Sequence, residues 1–376
     1  DTRCGDTVSG LSGAHDEISY SMRGQRWSEG HGLTFPQPWY PWIKADAPQS
    51  YYSATISLFY GGLYELFGYR PLLARLVTAL LSTAVVGMLY LLCERLFGNK
   101  VAFLAGLIAA FYAYLVFYGV TLLTETPFLL ALLVAIYVSY DLRERPTLGR
   151  WVVLGVALAF ALLLRMAVLF FLPVLIAWIV WAQPPDRRWP EAGRSLLALG
   201  IVALALLPFT LRNYQLWERP LLLEAQFGHV LWNGNHPGHE GDFHPYEVFP
   251  IPEEVLALDN DAAITSELAR RGVANILADP GHFLVLTLTR LRELFTFWPT
   301  EDSTREANLL RVLSFGVLLP FALAGLVLTA SRWRDLLPIY LFMLVHVGIY
   351  AVTWTMIRYR MPVDVFFIAF GAVAVD

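Results

Sequence analysis

The sequence has few charged residues and almost no cysteine. Only 15% of its 376 residues are Asp, Glu, Lys or Arg, and two are cysteine. So little cysteine excludes a disulfide-based scaffold, and the apolar composition excludes an intrinsically disordered chain. Glycine has no three-residue period, which excludes collagen. The net charge of -4 provides no basic excess, so we expect no nucleic-acid partner.

Hydrophobic residues, in contrast, make up 57% of the chain, and the mean hydropathy is +0.52. This balance is unlike that of a soluble domain and predicts an all-α polytopic membrane protein. We predict about nine spanning helices, at 72–92, 101–118, 127–140, 151–164, 167–181, 196–211, 307–328, 336–354 and 361–375. The sequence begins without a methionine and ends directly behind an apolar run, so we expect a fragment of a longer chain.

The stretch 151–181 is compatible either with two short helices or with one long helix that has Arg165 at its centre. With two helices, most basic residues of the short connecting segments gather on one side of the membrane, as cytoplasmic segments do. With one helix this bias nearly disappears, and an arginine at the bilayer centre costs about 2.5 to 3.5 kcal/mol or more. We therefore predict two helices.

This topology divides the chain into four parts. Residues 1–71 form a first extracytoplasmic segment, 72–211 hold six spans, 212–306 form an extracytoplasmic loop with interfacial helices, and 307–376 hold three spans. The pattern from 253 to 298 is helical, with an interruption at Gly272 and a break at Pro280. Cys4 and Cys93 lie on opposite sides of the membrane and cannot pair.

Two places on the outer side carry isolated carboxylates. Asp16 and Glu17 lie in the segment 14–24, which is compatible with a short helix. Adjacent helical positions point about 100° apart, so only one of the pair can face a given substrate atom. Glu125 is the sole charge in a short connection between two spans, where it either caps the next helix or points into a cavity. The alternative for the Asp-Glu pair is a solvated acidic turn.

Four arginines lie close to the outer ends of the predicted spans: Arg165, Arg212, Arg358 and Arg360. Arginines at a membrane interface commonly extend to the lipid headgroups and act as anchors. The alternative is a phosphate site, because guanidinium groups match phosphate oxygens in a bidentate manner.

The outer loop 228–246 is rich in histidine, aromatic and amide side chains. Metal binding is one interpretation, but the spacing of its histidines and carboxylates fits no closed zinc pattern. These groups are equally suited to hold a sugar. The candidate acceptor- or sugar-binding residues are Tyr20, Trp232, Asn235 and His236, and the metal alternative rests on His236, His239, Glu240, Asp242 and His244.

Several short motifs occur in a characteristic order. They are HDEISY at 15–20, APQSYY at 47–52, LFGYRPLLARL at 66–76, TETPF at 124–128, ALLLRMAVLFFLP at 161–173, LPFTLRNY at 207–214, LWNGNHPG at 231–238, ADPGHFL at 278–284 and RYRMPV at 358–363. Together they resemble the membrane-embedded GT-C glycosyltransferases that use polyprenyl-phosphate sugars. This group includes bacterial homologues of protein O-mannosyltransferases and the lipid A aminoarabinose transferases. In that family a span precedes the acidic loop, and we expect this sequence to be a fragment that begins after it. The soluble β-rich domain that eukaryotic protein mannosyltransferases carry between spans has no counterpart among these motifs.

The resemblance implies transfer of a sugar from a polyprenyl-phosphate donor to an acceptor hydroxyl, on the extracytoplasmic face of a bacterial inner membrane. In the family, an acidic residue of the first outer loop acts in sugar transfer, and the resemblance assigns this position to Asp16, with Glu17 as second choice. It assigns the family's second acidic position to Glu125. Asp16 is then the base and the four arginines hold the donor phosphate, with inversion at the anomeric carbon. The implied partners are the bilayer, the polyprenyl-phosphate lipid, and a glycan, lipid or protein acceptor. No cofactor is certain, and a divalent metal stays open.

Two other functions compete with this hypothesis. A transporter or flippase of a lipid-linked anionic substrate would also use outer arginines and intramembrane carboxylates, but it predicts polar residues in the inner halves of the spans. Those inner halves are almost purely apolar. A non-catalytic, glycan-binding subunit would keep the outer loop without needing Asp16 or Glu125.

Overall fold

The structure, a computed structural model, describes residues 15–241, 249–301 and 303–376. The first nine helices are α1 (His15–Ser28), α2 (Ala54–Phe67), α3 (Pro71–Phe97), α4 (Asn99–Phe111), α5 (Ala113–Tyr118), α6 (Glu125–Glu144), α7 (Leu148–Leu164), α8 (Val168–Trp181) and α9 (Pro185–Trp217). The other eight are α10 (Gln226–Gly234), α11 (Glu253–Leu256), α12 (Asp261–Ala278), α13 (Pro280–Leu294), α14 (Arg305–Arg311), α15 (Val317–Leu328), α16 (Trp333–Val352) and α17 (Met361–Val375). The prediction of an all-α fold is confirmed.

Within the part of the chain that the structure describes, five helical segments are long and apolar enough to cross a membrane. They are α3, α6, α9, Arg305–Leu328, in which a π-helical turn joins α14 to α15, and Ala330–Val352, which contains α16. The shorter apolar helices include α4, α7 and α8. Helical structure occurs at all nine predicted positions, although a break at Tyr112 divides the second into α4 and α5. Membrane crossing by the shorter helices stays a prediction.

Large apolar side chains cover much of the outer surface of the helices. Leu72 and Leu80 of α3 are each 70% exposed, and Phe103 of α4 is 64% exposed. Apolar side chains this exposed, and this numerous, are typical of helices whose solvent is lipid. The protein is therefore a multi-pass membrane protein.

The stretch 151–181 forms two helices, as predicted. Helix α7 ends at Leu164, and Arg165 has an extended backbone with φ -148° and ψ 109°. Helix α8 begins only at Val168. The break leaves the Arg165 side chain at the end of the helices, beside the start of α6, instead of at their centre.

The two ends of α6 carry different ionic groups. Glu125 lies at its start, while Asp141 and Glu144 at its other end form ion pairs with Arg95 of α3. A helix of this length separates its ends by about 30 Å. Residues predicted to face opposite sides of the membrane therefore lie at opposite ends of the same helix.

Helix α2 was not predicted, because its 14 residues follow a polar segment and fall short of a span. It packs along α1 at a point where two glycines meet. A Cβ atom on Gly24 would lie 2.9 Å from the backbone nitrogen of Gly61. Only glycine allows the two backbones to approach this closely, and the contact fixes α1, which carries Asp16 and Glu17.

The predicted interruption at Gly272 is wrong, because α12 runs through it without a break. A Cβ atom on Gly272 would lie 3.0 Å from the backbone nitrogen of Trp232 in α10. The glycine therefore allows α10 and α12 to pack closely. The predicted break before Pro280 is present, and Pro280 is the first residue of α13.

Candidate functional site

A cavity of about 420 Å³ lies at the Glu125 end of α6. Its wall includes residues of α1, α6, α8, α10, α12 and α16 and of the segments that connect them. Five charged residues line it, and we call it the ionic cavity after them: Asp16, Glu125, Arg165, Glu224 and Arg358. Much of the remaining wall is apolar.

Four of these residues form one chain of ion pairs. The Arg358 guanidinium group pairs directly with the Asp16 carboxylate through Nη2 and Oδ2. Its Nε lies 3.7 Å from Oε1 of Glu125, and the same Oε1 lies 2.7 Å from Nη2 of Arg165. The Glu125 side chain is only 2% exposed, so this carboxylate is held between two guanidinium groups and away from bulk solvent.

Aromatic side chains hold the two guanidinium groups in place. The Tyr359 ring centroid lies 5.5 Å from the Arg165 guanidinium carbon and 5.4 Å from that of Arg358. The Arg165 Nη1 group donates a hydrogen bond of 3.0 Å to the Tyr350 hydroxyl. Tyr350 in turn stacks on Tyr359 at 4.5 Å. Cation–π contacts of this kind attract the guanidinium groups and limit their movement.

Each of the two arginines has one donor that forms no hydrogen bond within the described residues. The Nε atoms of Arg165 and Arg358 are buried, and neither finds a hydrogen-bond acceptor among the described residues. A buried donor without an acceptor costs about 1 to 3 kcal/mol, so such groups are uncommon. Two such donors on residues of one cavity wall make the ionic cavity a candidate anion site.

The adjacent carboxylates of α1 have separate surroundings. Glu17 is fully buried, and its Oε1 lies 2.7 Å from Nη2 of Arg75 and accepts a 3.1 Å hydrogen bond from the Leu122 backbone. It does not line the ionic cavity, whereas Asp16 does. Glu17 thus attaches α1 to α3 and to the connection before α6, while Asp16 faces the cavity.

Arg212 and Arg360 lie outside the ionic cavity. Arg212 donates hydrogen bonds to the Gln49 carbonyl at 3.2 Å and to Oδ1 of Asn213 at 3.1 Å. Arg360 is fully buried and pairs at 2.8 Å with Asp364. It ends the 3₁₀ turn Ile357–Arg360, in which residues two apart point about 120° away from each other, so it cannot share the direction of Arg358.

Of the four candidate sugar-binding residues, only Tyr20 lines the ionic cavity. Burial, together with the nearby Asp16 carboxylate, raises the pKa of the Tyr20 phenol well above its usual value. Trp232 and Asn235 are buried in and after α10, and Asn235 donates to the Leu231 carbonyl at 2.9 Å. His236 stacks on Phe249 at 4.3 Å. The tertiary structure therefore does not bring these three to the cavity.

The metal alternative receives no support from the part of the chain that the structure describes. Among residues 15–241, 249–301 and 303–376, no group of three or more His, Cys, Asp or Glu side chains is arranged to hold a metal ion. Asp242 and His244, which belonged to that alternative, lie outside the described residues, as does Cys4.

Glu224 is the charged residue of the cavity wall that the sequence analysis missed. It lies between α9 and α10, and burial raises its pKa to about 7. The sequence does contain an indication of its importance, because Glu224 is the only ionisable residue in the apolar run 221–227. A lone carboxylate in such a run is costly unless it has a partner or a function.

Comparison with solved structures decides the fold. The apo oligosaccharyltransferase of Archaeoglobus fulgidus matches 97% of this chain with a TM-score of 0.57 and 14% identity. The chain has the GT-C glycosyltransferase fold. The same enzyme in complex with Zn and sulfate matches with a TM-score of 0.56 and 16% identity over 97% of the chain. The predicted resemblance to GT-C enzymes is thereby confirmed.

Residues 54–211, less than half of the chain, match the family described as dolichyl-phosphate-mannose-protein mannosyltransferase. That range contains Glu125 and Arg165 but not Asp16, Glu224 or Arg358. The match covers 46% and 45% of the oligosaccharyltransferase chain in the two structures, so this chain spans about half of the length of that enzyme. No curated protein sequence matches the chain.

Proposed function

We propose that this chain belongs to an inverting glycosyltransferase that moves a sugar from a polyprenyl-phosphate donor to an acceptor hydroxyl. The observation that carries the proposal is the pair of buried Nε donors of Arg165 and Arg358, held beside two carboxylates in one cavity. The match to a family described by a lipid-phosphate sugar supports the same donor class. The proposed location is a bacterial inner membrane, with the ionic cavity on the extracytoplasmic side.

The donor is already activated, since a polyprenyl phosphate is a good leaving group. In the proposed reaction, Asp16 accepts the proton of the acceptor hydroxyl, whose oxygen forms a bond to the anomeric carbon. The bond from that carbon to the phosphate oxygen breaks, and the phosphate leaves with the electron pair. Arg165 and Arg358 stabilise its negative charge. A single displacement from the side opposite the phosphate inverts the anomeric carbon.

The arrangement of charges suits this sequence of events. Arg358 pairs with Asp16 through Nη2, and its buried Nε has no hydrogen-bond acceptor among the described residues, so the group that orients the base also supplies positive charge to the cavity. Glu125 separates Arg358 from Arg165 and reduces the repulsion between the two cations. Apolar wall residues such as Met166 and Ile349 limit the water that would otherwise compete with the acceptor.

A direct transfer assay tests the proposal. Purified protein is incubated with polyprenyl-phosphate sugars and candidate hydroxyl acceptors, and the products are identified by mass spectrometry. We expect a sugar-acceptor product with the opposite anomeric configuration to the donor, together with free polyprenyl phosphate. A product of retained configuration would exclude the single displacement, and no product with any donor would argue against a transferase.

The side of the membrane is tested with topology reporters. Fusions near Pro146, Asp186 and Arg334 are expected to report a cytoplasmic position, and fusions near Asn235 and Asp302 an external one, because basic connecting segments remain in the cytoplasm. Alkaline phosphatase and green fluorescent protein fusions distinguish the two compartments. A cytoplasmic Asn235 would place the ionic cavity on the opposite side and contradict the proposed location.

A further inference from the structure

The short segment that carries Glu224 is fixed by hydrogen bonds on both sides. Asn213 donates through Nδ2 to the carbonyls of Leu221 and Leu223, at 3.2 and 2.9 Å. The Ala225 backbone nitrogen donates to the Ser50 carbonyl at 2.7 Å. These three hydrogen bonds hold the backbone on both sides of Glu224. Glu224 is thus built into the wall of the ionic cavity.

The carboxyl group of Glu224 differs from the other two in the cavity. Asp16 and Glu125 each pair with an arginine, whereas Glu224 has no ion-pair partner within the described residues. Its Oε1 atom is buried and finds no hydrogen-bond donor there. A buried polar oxygen with no partner is rare in native structures, and at a cavity wall it indicates a place for a ligand atom.

We propose that Glu224 binds a hydroxyl group of the substrate through Oε1 in the ionic cavity. This inference rests on the proposed function, since that function supplies two sources of such a group, the transferred sugar and the acceptor. Glu224 is then a specificity-determining residue that prefers a polyol portion of the substrate, while Arg165 and Arg358 bind the phosphate.

Charge explains why the ligand group is a hydroxyl and not the phosphate. The cavity wall holds three carboxyl groups and two guanidinium groups, so an ionised Glu224 adds a negative charge that repels phosphate. Burial favours the neutral form and raises the pKa of Glu224 to about 7, although the Ser53 hydroxyl and the charges of Arg23 and Arg165 lower it. In its neutral form the carboxyl group can both donate to and accept from a hydroxyl, and in its ionised form it can accept from one.

The test measures affinities for two lipids that differ only in the sugar. The probes are polyprenyl-phosphate mannose and polyprenyl phosphate, with the parent chain, Glu224→Gln and Glu224→Ala. The control is Glu253→Gln, an exposed carboxylate at the start of α11 that does not line the cavity. If the hydroxyl belongs to the sugar, Glu224→Ala should weaken binding of the mannose lipid by about ten- to a hundredfold and leave binding of the bare lipid unchanged. Glu224→Gln should lose less, because its amide still forms hydrogen bonds.

A second set of measurements separates the acceptor from the sugar. If the hydroxyl belongs to the acceptor, both lipid affinities remain at the parent value, while the KM for a threonine peptide or a synthetic glycolipid rises by the same factor. Thermal melting of the nearly isosteric Glu224→Gln checks that the fold is intact. Parent-like values of both lipid affinities and of KM in Glu224→Ala would overturn the proposal.

This design keeps the two proposals apart. A parent chain that binds the mannose lipid but transfers no sugar from any donor would argue against the transferase, while a loss of mannose-lipid affinity in Glu224→Ala would still show that Glu224 binds the sugar. A parent chain that binds neither lipid would overturn both.

Discussion

Replacement of Asp16 by asparagine is expected to lower the rate of sugar transfer by about a hundredfold to ten-thousandfold, because it removes the proposed general base. The amide keeps the size of the side chain and much of its hydrogen bonding. Donor binding should survive, since loss of the Asp16 charge releases the Arg358 guanidinium group for the phosphate. Single-turnover rates and donor affinity, measured side by side, check both parts of the prediction.

Glu17→Gln is the matched control on the same helix. Its carboxylate is buried against Arg75 and the Leu122 backbone, so the substitution should lower the stability of the fold more than the rate of folded protein. A folded Glu17→Gln protein without activity, together with a fully active Asp16→Asn, would reverse the assignment within the pair. If both variants transferred sugar at the parent rate, the proposed mechanism would fail.

Replacement of Arg358 by alanine is expected to weaken donor binding by about ten- to a hundredfold, because a charge-assisted contact to phosphate is poorly replaced by water. The same loss is expected for Arg165→Ala, because the Nε atom of Arg165 also lacks a hydrogen-bond acceptor among the described residues. Titration of the purified variants with polyprenyl phosphate measures the loss. Arg358→Lys should recover only part of the affinity, because lysine keeps the charge but not the planar group of donors.

Removing one member of a buried ion pair can also destabilise the fold, by about 3 to 5 kcal/mol. Combining Arg165→Ala with Glu125→Gln removes a buried carboxylate that would otherwise keep only its more distant partner Arg358, and this double variant should fold and still bind the donor weakly. Arg219→Ala is the control, because Arg219 is exposed and lies outside the cavity. If well-folded Arg165 and Arg358 variants bound the donor as tightly as the parent, the two residues would act as anchors to lipid headgroups and not as a phosphate site.

The sequence by itself determined the class of the protein and the position of its apolar helices. Hydropathy is a local property, so apolar runs mark helices wherever the chain later packs them. The break at Arg165 was predictable for the same reason, because a buried charge and the distribution of basic residues both opposed a single long helix. Helix α2 and the continuity of α12 through Gly272 were missed, since they depend on contacts with neighbouring helices.

Only the tertiary structure decided which polar residues meet. Asp16 and Arg358 are 342 positions apart, and nothing in the local sequence favours Arg358 over Arg212 or Arg360. The direction of each side chain follows from helical geometry and from packing, which turned Asp16 towards the cavity and Glu17 towards Arg75. Glu224 lies in the same cavity as Asp16 because its segment accepts hydrogen bonds from Asn213 and donates one to the Ser50 carbonyl. Convergence of this kind is long-range and therefore has no signature in the spacing of residues along the chain.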